Sequence, residues 1–196
     1  MRMRVAIIYN EPYPSRYDTT GEEKAVLGVL QAVAAVQQAL IELGYYVTRV
    51  PLAPPLEPAR TKLRSLDVDL VFNLFEGFCG YPETEALVPE ALSEGRIPCT
   101  GCPETVIRLA LDKAKAKVIL KAAGIPTPDF QLLNPKTLPM FQLGYPCIVK
   151  PGGEDASHGL TEESVVSNFA WLEKQVRAVS DSYGGDALVE EFINGR

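Results

Sequence analysis

Tyr145-Pro146-Cys147-Ile148-Val149-Lys150 is a short apolar strand that ends in a lysine, and Pro151-Gly152-Gly153-Glu154-Asp155-Ala156-Ser157-His158-Gly159 continues it as a glycine-bearing polar loop. A strand that delivers a lysine to a flexible loop suits a nucleotide. The ammonium is a point charge for phosphate oxygens, and glycines let backbone N–H groups turn toward the same oxygens. Ser157 adds a hydroxyl donor. The run is not a Walker A loop, which needs G-x-x-x-x-G-K-[ST], and it is not the dinucleotide fingerprint. Taken alone, the same residues also read as a strand that ends in a surface turn.

Upstream of this strand, strand and helix patterns alternate. Arg4 to Tyr9 is an apolar, β-branched run and reads as a buried first strand. Thr20-Gly21-Glu22-Glu23 fits a capping box, and Val26, Leu30, Val33, Val36, Leu40 and Leu43 recur at helical spacing before Gly44. Tyr45–Val50 reads as a second strand. Pro51–Pro58 is proline-rich and reads as neither helix nor central strand. Asp69–Leu74 reads as a third strand, Thr84–Glu94 as a helix disturbed at Pro89, and Arg96–Cys99 as a short strand. Asp112 caps a helix from Lys113 to Ala123, stopped by Gly124 and Pro126. This alternation predicts a parallel, open α/β sheet. Ile125-Pro126-Thr127-Pro128 then reads as a linker. Beyond it come a strand at Phe130–Leu133, the Tyr145–Lys150 strand, a helix capped by Asn168, and a last strand at Asp186–Ile193.

Composition sets the outer bounds. The chain has 196 residues, 46% of them apolar and 22% charged, an ordinary globular mix that excludes collagen, coiled coil and disorder. Lys plus Arg is 19 against 25 for Asp plus Glu, a formal charge of −6, which argues against a nucleic-acid binder but leaves room for a local positive pocket. No apolar run approaches the roughly 20 residues that span a bilayer. The stretch behind the basic Met1-Arg2-Met3-Arg4 is too short for a signal peptide. The expectation is a soluble, cytoplasmic protein with no membrane partner.

Four further constellations bear on chemistry. Glu190 and Glu191 are adjacent in the last strand, so they face opposite sides and make a poor catalytic dyad. The strand end is either a hinge offering backbone groups to an adenine or an edge strand with solvated charges. Lys113, Lys117 and Lys121 share one helical face, a row that ordinarily is solvated. Lys113, however, stands at the positive helix start, where the dipole favours an anion. Asn73 to Glu85 follows the carboxyl end of the third strand, where ligands of open α/β sheets collect, and Asn73 and Glu76 suit an ammonium group. Cys99-Thr100-Gly101-Cys102 invites a redox or zinc reading, but no second short-spaced pair accompanies it and the only histidine is His158.

In this order the motifs resemble one family, the D-alanine–D-alanine ligases and their relatives in the ATP-grasp superfamily. The carriers are Ile97-Pro98-Cys99-Thr100-Gly101, Ala110-Leu111-Asp112-Lys113 and Ala123-Gly124-Ile125-Pro126-Thr127-Pro128. Gly144-Tyr145-Pro146-Cys147-Ile148-Val149-Lys150-Pro151 and Leu188-Val189-Glu190-Glu191-Phe192-Ile193-Asn194-Gly195 complete the set. The resemblance covers nearly everything from Asp69 onward, and residues 1–50 more loosely.

The resemblance implies an α/β fold: a Rossmann-like (pre-ATP-grasp) open parallel sheet over 1–124 as the substrate domain, then 125–196 as the first part of an incomplete ATP-grasp α+β domain. It implies that Lys113 and Lys150 hold ATP phosphates. Gly152–Gly159, with Gly153 and Ser157, would form the lid, and Glu190, Glu191, Phe192 and Ile193 would form the adenine strand. Glu11, Glu22 and Glu76 become the candidates for binding an amino-acid substrate. The implied reaction is ATP-dependent carboxylate–amine ligation through an acyl phosphate, with ATP and Mg2+ as cofactors. The acidic ribose-binding residue, the catalytic Arg and the magnesium ligands would lie beyond Arg196, so 1–196 reads as the front part of an enzyme, inactive alone and without metal ligands of its own.

Three departures bear on the substrate. Tyr9-Asn10-Glu11-Pro12-Tyr13-Pro14-Ser15 replaces a glycine-rich loop with Ser and Glu, Glu76-Gly77 replaces His-Gly, and Ala156-Ser157 replaces two serines. All three surround the amino-acid site, so ATP binding is better carried than D-alanine. The expected partners are small amino acids rather than nucleic acid or membrane, and a homodimer is admitted. The alternative from another class is a non-catalytic nucleotide-binding or interaction protein of the same fold. A third is a thiol or metal protein built on Cys99 and Cys102.

Overall fold

Val5, Ala6, Ile7 and Ile8 are each at most 1% exposed, because the strand they form is covered on both faces. That strand, β1 (Arg4–Asn10), pairs in parallel with β2 (Tyr46–Leu52) on one side and β3 (Leu70–Leu74) on the other, giving the order β2-β1-β3. The structure, a computed structural model, describes residues 2–11, 23–154 and 159–195, and falls into two units, Met1–Arg108 and Leu109–Arg196.

In the first unit, α1 (Glu23–Glu42) sets Val33 against Ile7 and Tyr9 on one face of the sheet. On the other face, α2 (Leu56–Arg64) and α3 (Leu87–Glu94) bring Ala59, Leu63, Val88 and Leu92 onto Ala6, Ile8, Val50 and Val71. The chain passes from β1 to β2 on one side and returns to β3 on the other, so the winding direction reverses at β1. That reversal opens a crevice at the carboxyl ends of β1 and β3, where ligands of such sheets bind.

The structure departs from several of the sequence expectations. Pro51 lies inside β2, which tolerates it as an edge strand with β1 as its one neighbour. The proline-rich run contains a helix start: Pro58 is the third residue of α2, where a backbone N–H has no helical partner to lose. Pro89 likewise occupies the first turn of α3, where its missing N–H costs no helical hydrogen bond; the expected Thr84–Glu94 helix is a short 3-10 turn at Pro82–Thr84 and then α3. The expected strand at 96–99 shrinks to a single parallel bridge between Val71 and Cys99, since Pro98 has no N–H for a ladder. Leu43 is 71% exposed and lies outside the buried stripe. Thr20, Gly21 and Glu22 of the expected capping box lie outside the described residues. A further helix, α4 (Glu104–Leu111), stands where the sequence pattern gave no element.

The second unit begins within α4, so α5 (Lys113–Ala122) belongs to it, whereas the sequence reading divides the chain at 124/125. Asp112 caps α5 by accepting from the Lys115 N–H at 2.9 Å. The strands β4 (Phe130–Leu133), β5 (Cys147–Pro151), β6 (Val165–Val166) and β7 (Ala187–Glu191) form an antiparallel sheet of order β4-β7-β5-β6. One face packs on α6 (Phe169–Tyr183), with Cys147, Val149, Ala187 and Val189 against Leu172, Val176 and Val179. Asn168 caps this helix through the Trp171 N–H at 3.0 Å. The strand period of two then puts Ile148, Lys150, Leu188 and Glu190 on the opposite face. The fold is thus mixed α/β, with one parallel and one antiparallel sheet. Among the described residues no helix is long and apolar enough to cross a membrane.

Candidate functional site

The polar groups of the second unit converge on the sheet face opposite α6. Glu190 is centred there because β7 lies between β4 and β5, with Phe130 and Ile148 as its cross-strand neighbours. The edge-strand alternative for this segment is thereby excluded. Glu190 is 6% exposed and its neighbour Glu191 is exposed, as alternation requires. One Glu190 oxygen, Oε1, accepts from Lys117 Nζ at 2.8 Å, and the other, Oε2, accepts from Lys150 Nζ. Burial pushes the Glu190 carboxyl up, but the hydrogen bonds from the two lysines outweigh it and hold the group below the usual glutamate range. Two ammonium groups share one carboxylate, which leaves a surplus positive charge on this face.

Lys117 is the residue the sequence reading passed over. The lysine row is not a solvated face: Lys117 is 7% exposed, with Thr127 Oγ1 at 2.6 Å and the Phe130 ring centroid at 5.3 Å. Lys121 is exposed and pairs with Asp129 at 2.7 Å. The one signal in the sequence was the helical spacing to Lys113. Lys113, at the start of α5, reaches the carbonyl oxygens of Pro151, at 3.4 Å, and Glu154. Lys113 Nζ is thus placed at the loop end of β5, the strand that carries Lys150.

The loop leaving β5 returns to its own start. Gly159 has φ +74°, and a Cβ there would lie 2.8 Å from both Pro151 Cγ and the Tyr183 hydroxyl. Only glycine fits so close an approach. Gly153 is exposed within this loop, while Ser157 and His158 lie outside the described residues. At the other end of the candidate site, the Glu191 N–H donates to Asp129 O at 2.9 Å and the Phe192 N–H to Pro146 O at 3.0 Å. Those two donors are engaged by the sheet rather than by a base. Ile193 follows, 60% exposed.

In the first unit, Glu11 and Glu76 sit just past the carboxyl ends of neighbouring strands β1 and β3. Glu11 donates its N–H to Leu52 O at 2.8 Å. Asn10, the last residue of β1, ties the two strand ends together. Its Oδ1 accepts from the Glu76 N–H at 2.8 Å, and its Nδ2 donates to Gly77 O. Asn73 turns back to accept from the Phe75 N–H at 3.1 Å, so it serves the loop rather than standing out as a ligand group. Thr84 closes the far side, accepting from the Phe78 N–H and donating to Tyr81 O, each at 2.6 Å. Glu76 is exposed on this braced loop. The arrangement can present carboxylates to an ammonium group at the crevice. Asn10 and Thr84 escaped the sequence reading because their work is to bind backbone groups distant in sequence or hidden in a turn. Glu22 lies outside the described residues.

Cys99 and Cys102 differ in burial, which argues against a redox pair. Burial pushes the Cys99 thiol up to about 11, opposite to the depression an attacking thiolate needs. Both are free thiols.

No protein-family model matches the chain. An uncharacterized protein of Sinorhizobium fredii, y4sG, is 32% identical over 99% of this chain and 59% of its own length. The D-alanine–D-alanine ligase of Haemophilus ducreyi is 31% identical over 96% of this chain and 60% of its own. Among solved structures, the D-alanine–D-alanine ligase of Bacillus anthracis complexed with ATP superposes with a TM-score of 0.69 at 22% identity, over 100% of this chain and 58% of that one. The chain spans little more than half the length of the relatives it matches.

Proposed function

We propose that this chain, which belongs to the D-alanine–D-alanine ligase-like family, supplies the ATP phosphate site and the amino-acid crevice of an ATP-dependent carboxylate–amine ligase. The observation that carries the reading is that Lys113 reaches the loop end of β5, the strand that carries Lys150, where Gly159 packs against Pro151. On this reading the first unit is the pre-ATP-grasp domain and the second is the front of the ATP-grasp domain.

In the proposed reaction a substrate carboxylate oxygen attacks the γ-phosphorus of ATP, and ADP leaves. The amine of the second substrate then adds to the acyl phosphate carbonyl, loses its proton, and inorganic phosphate departs. Phosphoryl transfer asks the protein for positioning and charge neutralisation more than for covalent help. Lys113 and Lys150 supply that neutralisation. Gly153 and Ser157 cover the phosphates, and Glu190 to Ile193 line the adenine side. Because the Glu191 and Phe192 N–H groups are already bonded, recognition of the base falls to Glu190 and to the backbone at Ile193. Glu11, Glu22 and Glu76 bind the amino group of an amino-acid substrate. Among the described residues no three His, Cys, Asp or Glu side chains cluster to hold a metal ion.

The test is ATP binding by calorimetry, followed by a screen of amino-acid pairs for ADP release. Lys150→Ala should lower ATP affinity by about 10- to 100-fold, the worth of a charge-assisted hydrogen bond. Unchanged affinity overturns the assignment. Tight ATP binding with no ADP release for any pair favours the non-catalytic nucleotide-binding reading of the same fold.

A further inference from the structure

Lys117 has no part in the reading above, yet it is the most deeply buried lysine of the described residues. Its ammonium has three neighbours: the Glu190 carboxylate, the Thr127 hydroxyl and the Phe130 ring. Lysine is almost never buried this far unless paired, and here its partner is already paired. Glu190 holds Lys117 with one oxygen and Lys150 with the other.

We propose that Lys117 is a positioning residue that shares the Glu190 carboxylate, so that Lys150 is held in place yet released to an incoming phosphate. The proposal rests on the reading of Lys150 as a phosphate ligand. If Glu190 had Lys150 alone, the two would neutralise each other. Moving Lys150 to a phosphate would then strand a carboxylate with almost no solvent, which is strongly unfavourable. With Lys117 fixed on Oε1, Glu190 stays neutralised whichever partner Lys150 takes. The side chains differ in the way such an exchange needs. Lys117 is 8% exposed and held by three groups, whereas Lys150 is 27% exposed and has Glu190 as its side-chain partner among the described residues. The shared carboxylate also leaves the surplus positive charge that draws an anion to this face.

The test uses the whole chain and four variants: Lys117→Met, Lys117→Arg, Glu190→Gln and the double variant Lys117→Met/Glu190→Gln. The first readout needs no nucleotide. It is the rate at which acetic anhydride acetylates Lys150, followed by peptide mass spectrometry at fixed pH. Lys117→Met should slow it by about 3- to 10-fold, because an undivided Glu190 holds the Lys150 ammonium more tightly, by the margin between a stronger and a weaker charge-assisted hydrogen bond. Lys117→Arg should restore the native rate, and Glu190→Gln should exceed it. The double variant, with neither charge, should also be faster than the native chain.

The second readout is protection of Lys150 by tripolyphosphate. Lys117→Met should weaken protection by about tenfold, the same tighter hold seen from the anion's side, and the double variant should recover most of it. A folded Lys117→Met chain with native acetylation and native protection overturns the proposal and leaves Lys117 a structural strut. If Lys117→Met does not fold, the double variant decides, and a rate at or below the native one overturns the proposal. If acetylation responds to the variants but neither tripolyphosphate nor ATP protects Lys150, the shared carboxylate stands and the nucleotide reading falls.

Discussion

Lys117 Nζ lies 2.8 Å from Glu190 Oε1, and each side chain is only 8% exposed. A buried pair of this kind owes its geometry to the sheet: Glu190 is fixed by cross-strand partners on both sides, and Lys117 is one helical turn beyond Lys113. The two partners should differ in what their removal does. Glu190→Gln leaves Lys117 and Lys150 facing each other without a carboxylate and should destabilise by about 3 kcal/mol. Lys117→Met leaves Glu190 paired with Lys150 and should lose only about 1 kcal/mol, as for an ordinary charge-assisted hydrogen bond. Urea unfolding of the two variants measures the difference, and equal losses contradict the shared-carboxylate geometry.

The same group sets part of the acid limit of stability. The Glu190 carboxyl is pushed up by burial and pulled down further by Lys117 and Lys150, so its folded value lies below its unfolded one. As pH falls, the unfolded chain takes up the proton first, so the contribution present at neutral pH is lost below about 4.3, the ordinary glutamate value. Glu90 beside Arg60, Asp69 beside Arg4 and Asp129 beside Lys121 are shifted in the same direction. The Asp69 and Asp129 pairs lie on exposed surface and are screened by solvent, and the Glu90–Arg60 pair is only half-buried. Unfolding free energy measured from pH 6 down to pH 3 should therefore fall less steeply in Glu190→Gln than in the native chain, while keeping a residual slope.

What the sequence disclosed follows from whether a signal is local. The caps Asp112 and Asn168 announced α5 and α6, because an acceptor side chain before a periodic run acts on an N–H three residues away. The apolar run at Val5–Ile8 announced a strand buried on both faces. Glu190 and Glu191 were separated by strand alternation alone. The failures are of the opposite kind. Pro51, Pro54, Pro55 and Pro58 read as a breaker, though Pro58 falls where a helix start tolerates it. Lys117 read as solvated because its partner comes from a strand far along the chain. Asn10 had no local mark at all: both its bonds go to Glu76 and Gly77 across the sheet end.

That last pair of bonds makes Asn10 a brace for the loop that carries Glu76. Asn10→Ala should destabilise the first unit by about 1–2 kcal/mol, since the Glu76 N–H and Gly77 carbonyl each lose a partner. Hydrogen exchange should show the Glu76 amide opening much faster in the variant while the β1 amides keep their protection. A Glu76 amide that exchanges at the native rate would show the brace to be redundant.

Gly77 tests the same loop from the other side. Its φ is +86°, and a Cβ would fall 2.8 Å from Tyr81 O and 3.1 Å from Thr84 Oγ1. Gly77→Ala combines left-handed backbone strain with a clash against backbone, so it should destabilise by about 2 kcal/mol or more. Gly153→Ala, where nothing among the described residues lies within 4 Å and φ is not positive, should change stability by no more than about 0.5 kcal/mol. Thermal unfolding of the two variants side by side tests whether the loop conformation, rather than glycine content, is what the fold requires.

Cys99 and Cys102 are separated by environment rather than by sequence. The Cys99 thiol is half-buried and pushed up to about 11, whereas Cys102 is exposed. Only the thiolate alkylates rapidly. At pH 8 iodoacetamide should modify Cys102 well before Cys99, and Cys99 should become reactive only on unfolding in urea. Mass spectrometry of partially labelled protein reads the order directly. Equal labelling of the two, or a Cys99–Cys102 disulfide formed by mild oxidation without loss of fold, would revive the thiol chemistry that the burial of Cys99 argues against.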